Sequence, residues 1–329
     1  MISRKNNMRA AVLCGLLQAA LVRAGVDDYA WTRVVRDGPA EVHSLDAVFA
    51  VSERYTSREE LLRICRDMGA GEDMEDALTV LVSVFREIGK LEASKTNRFV
   101  IAATHSGDRF KWSKTENLNE TTFSSMASDC DAATTNHIRQ ELAYDGKEAT
   151  HADYAVSVRR PQVVTFNKAQ HIPEYRFERH GRFDYGTGID PSFLKRYYAG
   201  HTTTGELVRL MFTNIPPFHA DVVVFSDTGK DMSVVRVEYL LIGQIVRVLE
   251  GKDFVLTASG LWYPAEWKDT YYAPGFAPHV VACEKQFSVV CNKVSLNEYP
   301  GEGAFTLQYP DGVSTMDLRV SPSKYTPGK

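Results

Sequence analysis

Short apolar runs separated by turn residues fill the second half of the chain, and this pattern constrains the fold more than any other feature. Val222–Phe225 is wholly apolar, and Ser226–Asp231 consists largely of residues that favour turns. Val234–Val248 is strand-like, with Gly243 as a bulge or bend inside it. Because no helical segments alternate with these runs, the pattern favours antiparallel pairing over a doubly wound parallel sheet. The sequence therefore predicts a mostly antiparallel β barrel or sandwich over residues 151–329.

The first 150 residues show helical spacing instead. Ser57 and Glu60 form a capping box, and an apolar stripe follows them. A second apolar stripe at helical spacing runs over residues 73–91, and the short link between the stripes predicts an antiparallel helix hairpin. Residues 104–153 are polar and predict a linker. The expected fold class is therefore α+β, with a mainly helical domain over residues 1–150 and a domain boundary near residue 150.

The N-terminal segment 1–25 contains basic residues, an apolar run at Ala10–Val22 and no acidic residue. Three interpretations fit this segment: a secretory signal peptide, a mitochondrial transit peptide, or a helix buried against the rest of the fold or against a neighbouring subunit. The apolar run is too short to cross a bilayer core of roughly 30 Å. The segment therefore predicts no transmembrane span.

The five cysteines show no legible disulfide framework, because their number is odd and their spacing irregular. A bond between Cys283 and Cys291 would need a hairpin between these two residues. Cysteine usage therefore favours a reducing, intracellular compartment. The cysteines are Cys14, Cys65, Cys130, Cys283 and Cys291.

Charge and motif content disfavour several classes of protein. Lysine and arginine total 38 against 42 acidic residues, and the net charge of -4 disfavours a strongly basic nucleic-acid binder. The glycine-rich phosphate loop, the GxGxxG dinucleotide motif, the GxSxG elbow, HExxH and paired CxxC motifs are all absent. The sequence therefore predicts neither a kinase, a P-loop ATPase nor a Rossmann dehydrogenase, and it predicts no metal and no cofactor.

The triplet Asp227-Thr228-Gly229 follows an apolar run and resembles the active-site turn of aspartic proteases, in which two aspartates share a proton. That resemblance implies a hydrolase with its site in the β domain. Lys230 follows the triplet, where that family has alanine or serine, and a β-hairpin turn explains the same residues. The hydrolase alternative requires at least two nearby acids and histidines to converge in one pocket. The residues concerned are Asp221, Asp227, Asp231, His201 and His219.

Residues 159–209 form the one locally biased stretch, in which arginines alternate with aromatic residues. Aromatic faces stack on bases while arginines hold phosphates, so the stretch supports a nucleic-acid-binding module as an alternative. Tyrosine and arginine are also enriched in protein–protein contacts. A solvated loop with its aromatic rings in the core is a third interpretation. The candidate interaction residues are Arg159, Arg160, Arg176, Arg179, Arg182, Tyr185, Arg196, Tyr197 and Tyr198.

These observations favour a non-enzymatic interaction or assembly protein, such as a structural subunit of a larger complex or shell. Its expected partner is another protein or further copies of the chain itself. The apolar N-terminal segment, the helix pair and the arginine- and tyrosine-rich stretch all need a covering surface, which is why this class is preferred. The hydrolase and the nucleic-acid-binding module stay as alternatives.

Overall fold

The structure, a computed structural model, describes a subset of the chain in which β-strands dominate. The described residues are 44–69, 71, 94–107, 109–115, 118–128, 140–154, 162–167, 196–216, 219–309, 311–320 and 323–327. Within them, 15 strands form one continuous sheet. Two α-helices accompany the sheet in this part of the chain, α1 (Arg58–Asp67) and α2 (Glu120–Ser128).

The strands follow one another along the chain as β1 (Ser44–Tyr55), β2 (Lys95–Ser106), β3 (Arg109–Thr115), β4 (Gln140–Tyr144), β5 (Glu148–Asp153), β6 (Val163–Asn167), β7 (Tyr198–Thr204), β8 (Leu207–Ile215), β9 (Ala220–Asp227), β10 (Ser233–Leu241), β11 (Gln244–Leu256), β12 (Trp262–Tyr272), β13 (Val281–Leu296), β14 (Thr315–Asp317) and β15 (Lys324–Thr326). Their order across the sheet is β15-β14-β6-β5-β4-β3-β2-β1-β13-β12-β11-β10-β9-β8-β7. Neighbouring strands pair antiparallel, except that β14 pairs parallel with β6. The central pair joins β1 to β13, two strands far apart in the sequence.

The predicted α+β class with an N-terminal helix hairpin is wrong. Five strands occupy the described residues up to Asp153, and the stretch expected to be a polar linker contains β3, β4, β5 and α2. In β5, Ala149 and Ala152 are buried, while the other four residues are polar and only partly buried. These polar residues led to the linker prediction, but the segment is a strand that pairs with β4 on one side and β6 on the other.

One helix of the expected hairpin is confirmed. The hydroxyl of Ser57 accepts a hydrogen bond from the backbone N–H of Glu60 at 3.2 Å, which is one half of the capping box. The backbone N–H of Ser57 donates to the Ser94 hydroxyl at 2.8 Å, and that hydroxyl donates to the Glu60 carboxylate. Leu61 and Cys65 bury the apolar side of α1 against the sheet. The second expected helix, over residues 73–91, lies outside the described residues, as does the N-terminal segment 1–25. The domain boundary expected near residue 150 falls within β5 and stays a prediction.

The β domain also differs from the barrel or sandwich that the sequence predicts. The described strands form a single sheet with two edge strands, β7 and β15, instead of two packed sheets. Antiparallel pairing of the later strands is nevertheless as expected. The strand expected over residues 234–248 is two strands, because the chain turns at Ile242-Gly243 between β10 and β11.

One face of the sheet, here called the inner face, carries the two largest apolar clusters. It is the face on which Val51, Trp267 and Phe287 lie. The first cluster spans β8 to β13 and includes Leu210, Phe212, Val222, Val224, Val237 and Leu249, together with Leu61 and Cys65 of α1. The second spans β1 to β4, β12 and β13 and includes Phe49, Val51, Ile101, Trp112, Leu142, Trp267 and Phe287. Alternate residues point to the opposite face, where α2 packs Met126 against Ala50, Val100 and Val290.

Among the helices that the structure describes, none has both the length and the apolar character needed to cross a membrane.

Two of the three described cysteines are outside any disulfide, and the third is not. Cys65 and Cys283 are buried and are not disulfide-bonded. Cys291 is disulfide-bonded, and its partner lies outside the described residues. Cys283 and Cys291 share strand β13, so no bond joins them. The odd number and irregular spacing of the cysteines did not predict this bond.

Thiol titration measures this bond directly. With one disulfide among the five cysteines, we expect the protein purified without reductant to show three reactive thiols after unfolding in denaturant. After reduction we expect all five cysteines to react. Five reactive thiols before reduction would contradict the bond at Cys291.

Candidate functional site

The β10–β11 hairpin ends in a two-residue turn formed by Ile242 and Gly243. Leu241 of β10 pairs with Gln244 of β11, which leaves these two residues between the strands. Both have left-handed backbone conformations, with φ of 52° at Ile242 and 72° at Gly243. Two successive positive φ values are typical of the tight turns that match the twist of a hairpin. Asn-Gly and Asp-Gly are the usual sequences for such a turn.

Ile242 is an unfavourable residue for this position in two respects. A β-branched side chain at positive φ clashes with its own backbone, which costs on the order of 1–3 kcal/mol. The Ile242 side chain is also 100% exposed, so it gains nothing from burial in this molecule. Neither property helps the fold, and strained residues of this kind cluster at functional sites. Ile242 is therefore the strongest candidate for a contact residue.

The loop between β12 and β13 lies beside this turn and continues its apolar character. Its backbone is internally hydrogen-bonded, with His279 N–H donating to Phe276 C=O at 2.7 Å. A side chain at Gly275 would lie 3.5 Å from the Gln244 amide oxygen, so the two segments are in close approach. Leu241 and Phe276 are half-buried against the first apolar cluster. We call residues 241–245 and 273–279 together the apolar end of the sheet.

The apolar end carries no Lys, Arg, Asp or Glu. The nearby β8–β9 turn adds one acid, Asp221, whose carboxylate accepts a hydrogen bond from the backbone N–H of Asn214 at 2.9 Å. His219 is bonded to the Asn214 side chain at 2.6 Å. The surface is therefore nearly neutral, with one fully exposed isoleucine at its tip.

The five acids and histidines of the hydrolase alternative do not all come together at one place. Asp221 and His219 flank the β8–β9 turn, whereas Asp227 lies at the other end of β9, about 20 Å along the strand. His201 lies within β7 and is bonded to the Tyr198 hydroxyl at 3.0 Å. Asp231 follows Asp227 at the β9–β10 turn. These five residues therefore lie at three separate places: the β8–β9 turn, the β9–β10 turn and the interior of β7.

Asp227 behaves as a turn residue. Its carboxylate accepts the backbone N–H of Gly229 at 2.9 Å and forms an ion pair with Lys230. Residues Thr228–Lys230 form a single 3₁₀ turn that Asp227 caps. The hairpin-turn interpretation of the triplet is therefore confirmed. Among the described residues, no group of three or more His, Cys, Asp or Glu side chains is arranged to hold a metal ion.

Three of the nine candidate interaction residues of the 159–209 stretch lie in the described part of the chain. Arg196 is exposed, while Tyr197 and Tyr198 are half-buried against the first apolar cluster. The Tyr198 ring lies 5.8 Å from the Phe212 ring, and burial raises the pKa of the Tyr198 hydroxyl. Arg159, Arg160, Arg176, Arg179, Arg182 and Tyr185 lie outside the described residues. An interaction role for this set stays a prediction.

A row of charged residues crosses the inner face between the two apolar clusters. Asp269 of β12 lies opposite Lys285 of β13, which lies opposite Glu53 of β1. Arg247 of β11 joins the row by a bidentate pair with Asp269, with both N–O distances at 2.7 Å. Lys285 lies 3.8 Å from Glu53. We call Arg247, Asp269, Lys285 and Glu53 the ionic row.

The carboxylates of the ionic row are engaged by protein groups. The Tyr271 hydroxyl donates to Asp269 at 3.2 Å, and the Tyr55 hydroxyl donates to Glu53 at 3.1 Å. Burial lowers the pKa of Arg247, but the charge of Asp269 and the adjacent tyrosines outweigh it and hold that pKa well above its ordinary value. A satisfied network of this kind fixes the register of strands β11 to β1.

The tip residue Ile242 was missed by the sequence analysis, which treated Gly243 as a bulge or bend within one strand. Gly243 was the available signal for a turn. The preceding residue, Ile242, argued against a turn, because isoleucine is typical of strand interiors and is rarely found in tight turns.

Comparisons with known proteins identify no family. No family model matches the chain, and no curated protein matches it. Among solved structures, a domain from Vibrio parahaemolyticus described as an outer membrane lipoprotein-sorting protein aligns with a TM-score of 0.36 at 10% identity, covering 79% of this chain and 89% of that one. A DUF1329 family protein from Desulfovibrio piger ATCC 29098 aligns with a TM-score of 0.41 at 10% identity, covering 84% of this chain and 95% of that one.

Proposed function

We propose that the chain is a non-enzymatic interaction protein that binds a partner protein through the apolar end, with Ile242 entering an apolar pocket of the partner. One observation carries this proposal: an isoleucine that is both fully exposed and held in a left-handed conformation. The strain and the exposure are unfavourable in the free protein. They are offset only if the side chain is buried in a complex.

The composition of the apolar end supports a protein partner over the other classes. Nucleic acids and anionic lipid surfaces are bound through lysine and arginine, and the apolar end has neither. A narrow hairpin tip with a single branched side chain fits a pocket better than a flat surface. Anchors of this kind, seated in a desolvated pocket, dominate the energetics of protein interfaces.

Burial of one isoleucine side chain contributes about 1.5–3 kcal/mol. That free energy corresponds to roughly a 10- to 150-fold change in the dissociation constant. Replacing Ile242 should therefore weaken partner binding by at least tenfold without disturbing the sheet, since the side chain makes no buried contact in the free protein.

Photocrosslinking with competition tests the proposal. A benzophenone amino acid placed at Ile242 should form one discrete adduct in an extract of the source cells. Excess unlabelled wild-type protein should suppress that adduct, and Ile242→Asn protein should need at least a tenfold higher concentration to do so. A crosslinker at Leu256, which is also exposed but lies at the opposite end of β11, is the matched control. Equal competition by wild-type and Ile242→Asn protein would contradict the proposal, as would an adduct pattern identical to that of the control.

Ile242→Asn should also stabilise the free protein. Asparagine tolerates the left-handed conformation and precedes glycine in the preferred two-residue turns, so we expect the free energy of unfolding to rise by about 0.5–2 kcal/mol. Urea unfolding of the two proteins measures the change. Leu256→Asn, which replaces an exposed apolar residue in a strand with no such strain, should give no gain. A loss of stability in Ile242→Asn would show that the turn is not strained.

A further inference from the structure

Among the strands that the structure describes, the two at the edges of the sheet differ in how well they are protected against pairing. Exposed edges are a template for another strand, and natural sheets protect them with short strands, lysine or proline. β15 has these features: it is three residues long, begins with Lys324 and is followed by Pro327. β7 has neither lysine nor proline and is seven residues long.

The outer side of β7 is accessible over its C-terminal part. In the described part of the chain, β7 pairs only with β8. Thr202, Thr203 and Thr204 are all exposed. A bulge between Tyr198 and Gly200 interrupts the N-terminal part of the strand, so the regular segment available for pairing is His201–Thr204. Alternate backbone N–H and C=O groups of this segment point away from β8.

We propose that β7 pairs antiparallel with β7 of a second copy of the chain, across a twofold axis at Thr203, so that the sheet continues from one protomer into the next. This surface is separate from the apolar end, and the proposal does not depend on the partner proposed above. In this arrangement Thr203 lies opposite its own copy, and Thr202 lies opposite Thr204 of the second copy.

The composition of β7 favours a second copy as the occupant over an extended segment of another protein. In a twofold interface each residue meets itself or its symmetry mate, so a charged strand would place like charges opposite each other. Residues 197–205 contain no Lys, Arg, Asp or Glu. Threonine has a high preference for strands, and directly opposed threonine pairs are favourable. The segment is thus self-complementary in both charge and side-chain type.

Analytical ultracentrifugation of the full chain over a range of concentrations tests the pairing. The wild-type protein should show a reversible monomer–dimer equilibrium. Thr203→Lys should raise the dimer dissociation constant at least tenfold, since two lysines then meet at the axis. Thr203→Glu should do the same. A mixture of the lysine and glutamate variants should regain the dimer, because opposite charges then face each other.

The control is Thr326→Lys, which changes an exposed threonine on the other edge strand and should leave the dissociation constant unchanged. Circular dichroism melting of each variant checks that it folds, which is expected because Thr203 is exposed. A wild-type protein that is monomeric at all concentrations would overturn the proposal and leave an extended segment of another protein as the occupant of this edge. An unchanged dimer in Thr203→Lys, or a lysine–glutamate mixture that stays monomeric, would also overturn it.

Discussion

Replacing Asp269 with leucine is expected to lower the free energy of unfolding by about 3–5 kcal/mol. Asp269 and Arg247 form a bidentate pair with side-chain exposures of 8% and 12%, so the guanidinium cannot recover its interactions with water when the carboxylate is removed. Two tyrosine rings lie 5.0 Å and 4.9 Å from the guanidinium and prevent it from moving out. Urea unfolding of the variant measures the loss.

The loss of stability in Asp269→Leu is expected to come from the unpaired charge of Arg247. A double variant distinguishes this effect from a loss of packing. When Arg247 and Asp269 are both replaced by leucine, no buried charge is left, and most of the stability should return. Asp67→Leu is the exposed control: Asp67 pairs with Arg63 on the surface of α1, where each side chain is about two-thirds exposed. Breaking that pair should cost no more than about 1 kcal/mol. A double variant as unstable as Asp269→Leu alone would contradict this explanation.

Trp267→Ala should be nearly as damaging, with an expected loss of about 3–5 kcal/mol. The Trp267 ring stacks on Phe287 of the neighbouring strand, with ring centroids 3.9 Å apart and an interplanar angle of 4°. Both rings belong to the second apolar cluster, which joins β12 and β13 to strands of the N-terminal half. Removing the indole leaves a cavity that a sheet held by hydrogen bonds on both sides of β12 cannot close.

Trp262→Ala is the matched control, because Trp262 lies at the start of the same strand and is only half-buried. Its replacement should cost less than half as much. Thermal and urea unfolding of both variants measure the difference. Equal losses would show that the stacked pair contributes no more than average burial does.

Local signals predicted the parts of the fold that depend on neighbouring residues. The capping box at Ser57 and Glu60 correctly placed α1, and the turn chemistry of residues 226–231 correctly separated β9 from β10. These features depend on hydrogen bonds between residues that are close together in the sequence. The residue types at those positions are therefore enough to predict them.

The strands in the stretch expected to be a linker could not be found in the same way. In β3 and β5 the polar residues outnumber the apolar ones, and the buried side chains do not alternate strictly along the strand. Their partners are set by the sheet, not by nearby residues: β1 lies between β2 and β13. The spacing of residues in the sequence does not show which distant strand a half-apolar segment pairs with.

The candidate site was hidden for a related reason. Strand propensity favours isoleucine within β10, so Leu240-Leu241-Ile242 resembles the middle of a strand. The turn exists because the pairing of Leu241 with Gln244 imposes it on an ill-suited residue. Such a conflict between local preference and global structure is invisible until the register is known.

The pairing of β1 with β13 has a consequence for biosynthesis. Ser44 donates its backbone N–H to the side chain of Asn297, a residue 253 positions later. β1 therefore cannot pair with β13 until nearly the whole polypeptide has left the ribosome. Contacts between such distant segments slow folding and leave apolar surface uncovered in the meantime. Nascent chains that stop short of β13 would expose Phe49 and Val51, which makes premature termination and slow translation hazards for this protein in the cell.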